Sequence, residues 1–273
     1  MSGQPGFRPG TEPTSGFSGV EELAAGQAAG VGEPSGDVAG AETELEGRNR
    51  PAIPARWQTA WAWLVCRVVE YLYLNPRVVG RKAVPRRGPV ILAGNHTGLA
   101  DGPLVLGAAP RRVHFIMKYS LGRGIGGFFL RAGGQVALQR DSGHQALRVC
   151  LELLRRGRAV GIFPEGSRGD GRMRQIKAGV AWLAISSGAP VVPFACLGTR
   201  HDGEAATRFP PPRRKVYVSF GAPVELVLDK SASRREQIGA AMEQIRLALA
   251  AHVAKALEES PVGLPDDTGR VNS

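Results

Sequence analysis

The chain of 273 residues is 43% hydrophobic, 22% charged and 6% aromatic, with a formal charge of +11. That length suits one large domain or two small ones and can bury a sizeable core. The three cysteines (Cys66, Cys150, Cys196) are odd in number, far apart and without a C-x-x-C pair, which excludes a disulfide scaffold and a structural zinc site and fits a reducing cytoplasm.

The charge is uneven. Residues 1–50 sum to −5, with eight acidic side chains against Arg8, Arg48 and Arg50, which leaves +16 on the rest. A body this basic suits anionic partners: nucleic acid, an anionic membrane surface or a phosphorylated substrate. The excess of 29 Arg over 6 Lys equally fits an arginine-rich genome, so charge alone does not choose. No signal peptide is expected, because no charged segment leads into an apolar core at the start. A clean membrane span is not expected either, since no run approaches 18 uninterrupted apolar residues.

Residues 1–52 are Gly-, Ala-, Glu- and Ser-rich with few large apolar side chains, and read as a disordered acidic tail. A folded body is expected over 53–258, and a second disordered tail over 259–273. The body opens with WQTAWAWLVCRVVEYLYLNP, where Trp57, Trp61, Leu64, Val65, Val68 and Leu72 fall at helical spacing and Pro76 stops the run. Arg67 and Glu70 interrupt it, and each would cost about 2.5–3.5 kcal/mol at a bilayer centre. An amphipathic helix over 57–75 lying in a membrane interface avoids that cost; a helix packed on the domain is the plainer alternative.

Strands and helices then alternate. Strands are expected at 89–95, 113–118, 135–139, 159–164, 190–196 and 215–221. Helices are expected from about Asp101, from Gly143 to about Arg156 with Ser142 as cap, over Gln175–Ser187, and over roughly Ser233–Leu257. A short element is expected near Phe128–Leu130. This alternation predicts an α/β domain with a mostly parallel central sheet flanked by helices, whose ligand sites lie beyond the carboxyl ends of the strands.

Two strand ends carry unusual chemistry. Asn95-His96-Thr97-Gly98-Leu99-Ala100-Asp101 follows PVILAG. Five residues apart on one helix, His96 and Asp101 would diverge by about 140°. Across a strand-to-helix turn bent at Gly98 they meet, and Asp101 then holds one ring nitrogen and leaves the other as a base. A capping Asp beside a core His is the bland alternative. Phe163-Pro164-Glu165-Gly166-Ser167-Arg168 follows AVGI. Its turn puts backbone N–H groups and a guanidinium at one point, suited to gripping a phosphate, and Lys177 adds a second positive charge. Glu165 and Arg168 as a mere local salt bridge is the alternative there.

Taken together, His96…Asp101, Arg140 in QVALQRDS, FPEGSRG and VVPFA resemble the four ordered blocks of the glycerophospholipid acyltransferase family, whose best-known members are the 1-acylglycerol-3-phosphate (lysophosphatidic acid) acyltransferases. The blocks span roughly 90–195. The resemblance implies that His96 is the general base and Asp101 its orienting partner. It further implies that Arg140, Glu165, Gly166, Ser167 and Arg168, with Lys177, hold the acceptor's phosphate, and that Pro193 helps shape the acyl-donor region. Ser167 stands where the family often has Thr, and Val136-Ala137-Leu138-Gln139-Arg140 departs from the family's aromatic-Ile-x-Arg form. The implied reaction moves a fatty acyl group from acyl-CoA or acyl carrier protein to the hydroxyl of a lysophospholipid, most simply 1-acylglycerol-3-phosphate giving phosphatidic acid, with another lyso- or glycolipid as the alternative acceptor. It implies no covalent acyl-enzyme and no metal or redox cofactor. Partners would be membrane lipids and an anionic bilayer surface, with the protein peripheral on the cytoplasmic face.

Gly122-Arg123-Gly124-Ile125-Gly126-Gly127 matches G-x-G-x-x-G but lacks the acidic residue about 20 positions on, and reads as a turn. The absence of G-x-S-x-G argues against an α/β-hydrolase. A non-catalytic basic module for membranes or nucleic acid is the rival of a different class. Its scattered Arg-Arg pairs lack interleaved aromatics and any nucleic-acid motif, so no nucleic-acid partner is expected.

Overall fold

The computed structural model describes residues 53–118, 132–138 and 143–266. The N-terminal tail, the G-x-G-x-x-G turn, the element near Phe128–Leu130, Arg140 and the Ser142 cap lie outside the described residues. A seven-stranded sheet orders as β1-β7-β6-β2-β5-β3-β4. The strands are β1 (Asn75–Val79), β2 (Val90–Gly94), β3 (Val113–Lys118), β4 (Val136–Leu138), β5 (Ala159–Ile162), β6 (Val191–Leu197) and β7 (Lys215–Phe220). Every pairing is parallel except β6 with β7.

The two central strands are apolar throughout, and all residues of β2 and β6 are buried, as a parallel sheet covered on both faces requires. Alternate side chains go to opposite faces. Ile91, Ala93, Val191 and Ala195 join one core with α3 (Gly143–Arg155), α4 (Gly179–Ser187) and α5 (Arg234–Glu259). Val90, Leu92, Val192 and Phe194 join the other with α1 (Arg56–Tyr73) and α2 (Asp101–Ala108). Each fully buried aliphatic side chain contributes about 1.5–3 kcal/mol to the two cores.

Local chemistry sets the helix ends. Gln58 folds back to accept the Ala55 N–H at 2.7 Å at the start of α1. Ser233 and Glu236 form a reciprocal capping box on α5. Helix α4 begins at Gly179, four residues later than the spacing predicts. Residues 175–178 instead close the preceding turn, where the Lys177 N–H donates to the Pro164 carbonyl at 2.8 Å.

Two further departures have plain causes. Asn75–Val79, expected only as a helix stop, is strand β1; as an edge strand it tolerates Pro76, which has no N–H to give a ladder. The disordered tail expected from residue 259 is ordered as far as Asp266: Glu259 ends α5, Val262 packs on Gly198, Leu264 packs on Gly171, and Pro265 is buried. The apolar residues in PVGLP give that stretch enough surface to dock.

Candidate active site

Three adjacent parallel strands, β6, β2 and β5, end at one place and supply the site. Beyond Gly94 the β2 backbone stops pairing with β6, and Asn95 takes over with its side chain. Its Oδ1 accepts the Cys196 N–H at 2.8 Å and its Nδ2 donates to the Cys196 carbonyl at 2.9 Å. His96 is thereby freed at the strand end, and its ring stacks on Phe163 from the end of β5 at 4.1 Å.

The turn expected between His96 and Asp101 is present. Asp101 opens α2, fully buried, and its Oδ2 lies 3.0 Å from His96 Nδ1. The same oxygen accepts the backbone N–H groups of Thr97 at 2.6 Å and Gly98 at 2.8 Å. Gly98 thus serves by its N–H and by its size, since a Cβ there would meet Thr199 Oγ1 at 3.3 Å. Asp101 Oδ1 accepts the Thr199 hydroxyl and the Cys196 thiol, the latter at 3.4 Å. A carboxylate that only accepts fixes the tautomer: Nδ1 carries the proton and Nε2 keeps its lone pair. The His96 side chain is 16% exposed, and Nε2 has no protein partner among the described residues. That is the geometry of an oriented base with its working edge open.

The β5 turn is laced to the His96 backbone on both sides. Glu165 Oε2 accepts the His96 N–H at 3.0 Å, and the Gly169 N–H donates to the His96 carbonyl at 2.9 Å. Glu165 Oε1 accepts the Met173 N–H at 3.3 Å. Burial pushes the Glu165 carboxyl above the usual carboxylate range, and these two N–H groups hold it back. The resemblance implies that Glu165, with the rest of its block, holds the acceptor's phosphate. In the structure each of its oxygens accepts a backbone N–H, so the side chain braces the turn that carries the rest of the block.

Gly166 sits at φ +73°, and a Cβ there would come within 2.5 Å of Lys177 Cε and 2.9 Å of Nζ, so the exposed Lys177 side chain lies directly over it. Ser167 is exposed. Arg168 is half-buried beside Asp101, with Nε buried and without a hydrogen-bond partner among the described residues. Burial lowers its pKa, opposed by the Asp101 charge. Two cations therefore belong to the Gly166 turn, which is bonded to the His96 backbone, an arrangement fit for a phosphate or another anion.

Pro193 stands elsewhere. It lies mid-strand on β6, facing α5 on the opposite side of the sheet from His96, and lines a cavity of about 830 Å³ with Val79, Gly221 and His252. Motif reading missed Thr199 and Arg200, which follow β6 directly. Arg200 is 5% exposed and donates to the Gly169 carbonyl at 2.8 Å. A Thr-Arg pair closing an apolar strand beside the other two strand ends was the available signal.

The acyltransferase family model matches residues 75–197, which contain all three strand ends but not Thr199 and Arg200. A 1-acyl-sn-glycerol-3-phosphate acyltransferase of Bacillus subtilis is 28% identical over 135 residues, 48% of this chain and 67% of that protein. A chloroplastic 1-acyl-sn-glycerol-3-phosphate acyltransferase of Arabidopsis thaliana is 34% identical over 143 residues, 50% of this chain and 39% of that one. A lyso-ornithine lipid O-acyltransferase of Pseudomonas aeruginosa is 30% identical over 145 residues, 52% and 54% respectively. The match thus spans 67% of the first relative's length but only 39% and 54% of the latter two. The crystal structure of the 1-acyl-sn-glycerophosphate acyltransferase from Thermotoga maritima shares the fold, with a TM-score of 0.53 at 24% identity over 74% of this chain and 80% of that one. With its mostly parallel sheet and its motifs gathered at three strand ends, the chain carries over residues 75–197 a segment that matches the acyltransferase family model and is similar to O-acyltransferases named for 1-acyl-sn-glycerol-3-phosphate.

Proposed function

We propose that the protein transfers a fatty acyl group from acyl-CoA or acyl carrier protein to the free hydroxyl of 1-acylglycerol-3-phosphate, giving phosphatidic acid. The observation that supports this reading is that the Asp101-oriented His96 is bonded through its backbone to Glu165 and Gly169, the turn that bears Arg168 and over which Lys177 lies. The cations hold the acceptor's phosphate and present its hydroxyl to His96 Nε2. Nε2 takes the hydroxyl proton as the oxygen attacks the thioester carbonyl. The tetrahedral intermediate then collapses, the C–S bond breaks, and the leaving thiolate takes the proton back from His96. Such positioned base catalysis supplies about 10²–10⁴-fold, and holding both reactants together supplies more.

Attachment to a bilayer fits the same reading. Helix α1 buries one side against α2 and leaves Trp57, Leu64, Val68 and Leu72 exposed on the other. Among the described residues no helix is long and apolar enough to cross a membrane. We place the protein as peripheral on the cytoplasmic face, where both acyl donors are found. The similarity to a lyso-ornithine lipid O-acyltransferase favours, as a second reading, a zwitterionic acceptor without phosphate.

The deciding experiment is release of free CoA from palmitoyl- and oleoyl-CoA, with and without lysophosphatidic acid or lyso-ornithine lipid, beside the His96→Ala variant. Release that needs lysophosphatidic acid and disappears in the variant establishes the reading. Release that needs only lyso-ornithine lipid selects the second acceptor. Release without any acceptor makes the protein a thioesterase instead.

A further inference from the structure

We propose that Thr199 is a positioning residue for acyl transfer: its hydroxyl fixes the Asp101 carboxylate, and through it the His96 ring, with Nε2 turned to the acceptor. The inference rests on the general-base reading and concerns a residue just past the end of the matched family segment.

Asp101 Oδ2 is occupied by His96 Nδ1–H and two backbone N–H groups, all from residues within five positions of it. Those three contacts define one oxygen only and leave the carboxylate free to swing about it. The second oxygen sets the plane, and it is held from β6 across the sheet by the Thr199 hydroxyl and the Cys196 thiol. A thiol is a weak donor, so the hydroxyl carries that anchorage. Thr199 Oγ1 also lies 3.2 Å from Thr97 Oγ1. Because the Thr199 proton goes to Asp101, Thr97 is the donor of that pair, and a short relay runs Thr97–Thr199–Asp101–His96.

The surroundings leave no substitute for the hydroxyl. Thr97 and Thr199 are each 1% exposed, and Asp101 and Cys196 are 0% exposed, so bulk water does not reach the freed lone pair. The position is also sterically tight, with Thr199 against Gly98. Among the described residues the Thr199 hydroxyl bonds Asp101 and Thr97, and neither Arg168, Lys177 nor Nε2, so its contribution is expected on the chemical step rather than on acceptor binding.

The test compares Thr199→Val, which keeps the shape and removes the hydroxyl, with Thr199→Ser, which keeps the hydroxyl. Two readouts are taken: acceptor-dependent CoA release, and the ring ¹⁵N–¹H spectrum of His96, assigned with the His96→Ala variant. Thr199→Val is expected to lower kcat about 10- to 100-fold with acceptor KM within about twofold, the scale of one buried donor lost. It should also shift or broaden the His96 Nδ1–H signal, and Thr199→Ser should restore both. Wild-type kcat and ring spectrum in Thr199→Val would overturn the proposal. So would a rise in acceptor KM at unchanged kcat, or a Thr199→Ser variant no better than the Val one. Should Thr199→Val fail to fold, Thr199→Ala takes its place against Thr199→Ser. Absence of turnover in the wild type would remove the acyl-transfer reading, and the ring spectrum would still decide whether Thr199 holds His96.

Discussion

The Glu165 carboxylate accepts the backbone N–H of His96 at 3.0 Å, which ties the third sequence block to the first through the main chain of the base itself. Its other oxygen holds the Met173 N–H, so the side chain braces the turn that carries Arg168 against the strand end that carries His96. Glu165→Ala frees both donors and should lower kcat about tenfold or more. Acceptor KM should change little, because both carboxylate oxygens serve backbone donors. Steady-state kinetics on the variant check this, and a rise confined to KM would contradict it.

The two members of the His96–Asp101 pair differ in what else they support. His96 leaves Nε2 open, so His96→Ala should abolish acceptor-dependent turnover while Tm stays near the wild-type value. Asp101 satisfies five donors in a fully buried site, and Asp101→Ala strands four of them besides the ring. A loss of about 3 kcal/mol is expected, equivalent to roughly 6–12 °C in Tm for a domain of this size. Thermal unfolding of the two variants side by side tests the contrast.

Arg168 pairs with nothing through Nε among the described residues, although that atom is buried. A phosphate bound as proposed would satisfy it, and hydrogen bonds to charged groups contribute about 1.5–3 kcal/mol. Arg168→Ala should therefore raise KM for lysophosphatidic acid about 10- to 100-fold with a smaller effect on kcat. Kinetics with varied acceptor decide it; an unchanged KM removes Arg168 from the phosphate site.

Much of this architecture was legible in the chain. The apolar runs of β2 and β6 and the His–Asp spacing are local signals, and local signals survive folding. Strand β1 was not legible, because NPRVV carries a proline and an exposed face, which only its place at the sheet edge permits. Thr199 and Cys196 stand about a hundred residues from Asp101, and their hydrogen bonds exist only because β6 lies beside β2. The bond from His96's amide to Glu165, across 69 residues, was hidden in the same way: the motif shows a carboxylate beside an arginine, and only the fold shows which backbone donors it takes. Pro193 shares a strand with the site and faces away from it, since alternate residues of β6 serve opposite cores.

The exposed face of α1 makes a separate prediction. Trp57 is 67% and Leu72 81% exposed, with Leu64 and Val68 between them on the same side. Leu64→Asp with Leu72→Asp should weaken sedimentation with anionic phospholipid vesicles at least about tenfold, as two inserted apolar side chains are replaced by charges. Tm should hold, because neither side chain packs on the domain. Unchanged vesicle binding would make α1 an ordinary surface helix.

The inner face of α1 carries a titratable group whose effect has a definite sign. Glu70 is 1% exposed, packs against Gly107 of α2, and neither carboxylate oxygen has a hydrogen-bond partner among the described residues. Burial pushes its pKa up to about 7, opposed by the charges of Arg81 and Arg67. The folded state thus binds this proton more tightly than the unfolded chain does. Its contribution to stability is fully present below the ordinary glutamate range and is lost as pH rises through about 7. Glu70→Gln keeps the neutral shape at every pH. The variant should match the wild-type Tm at pH 5 and exceed it at pH 8, where the wild type holds an unpaired charge between α1 and α2. Thermal unfolding at the two pH values measures this, and a variant less stable than wild type at pH 8 would mean that Arg67 and Arg81 outweigh burial at this carboxylate.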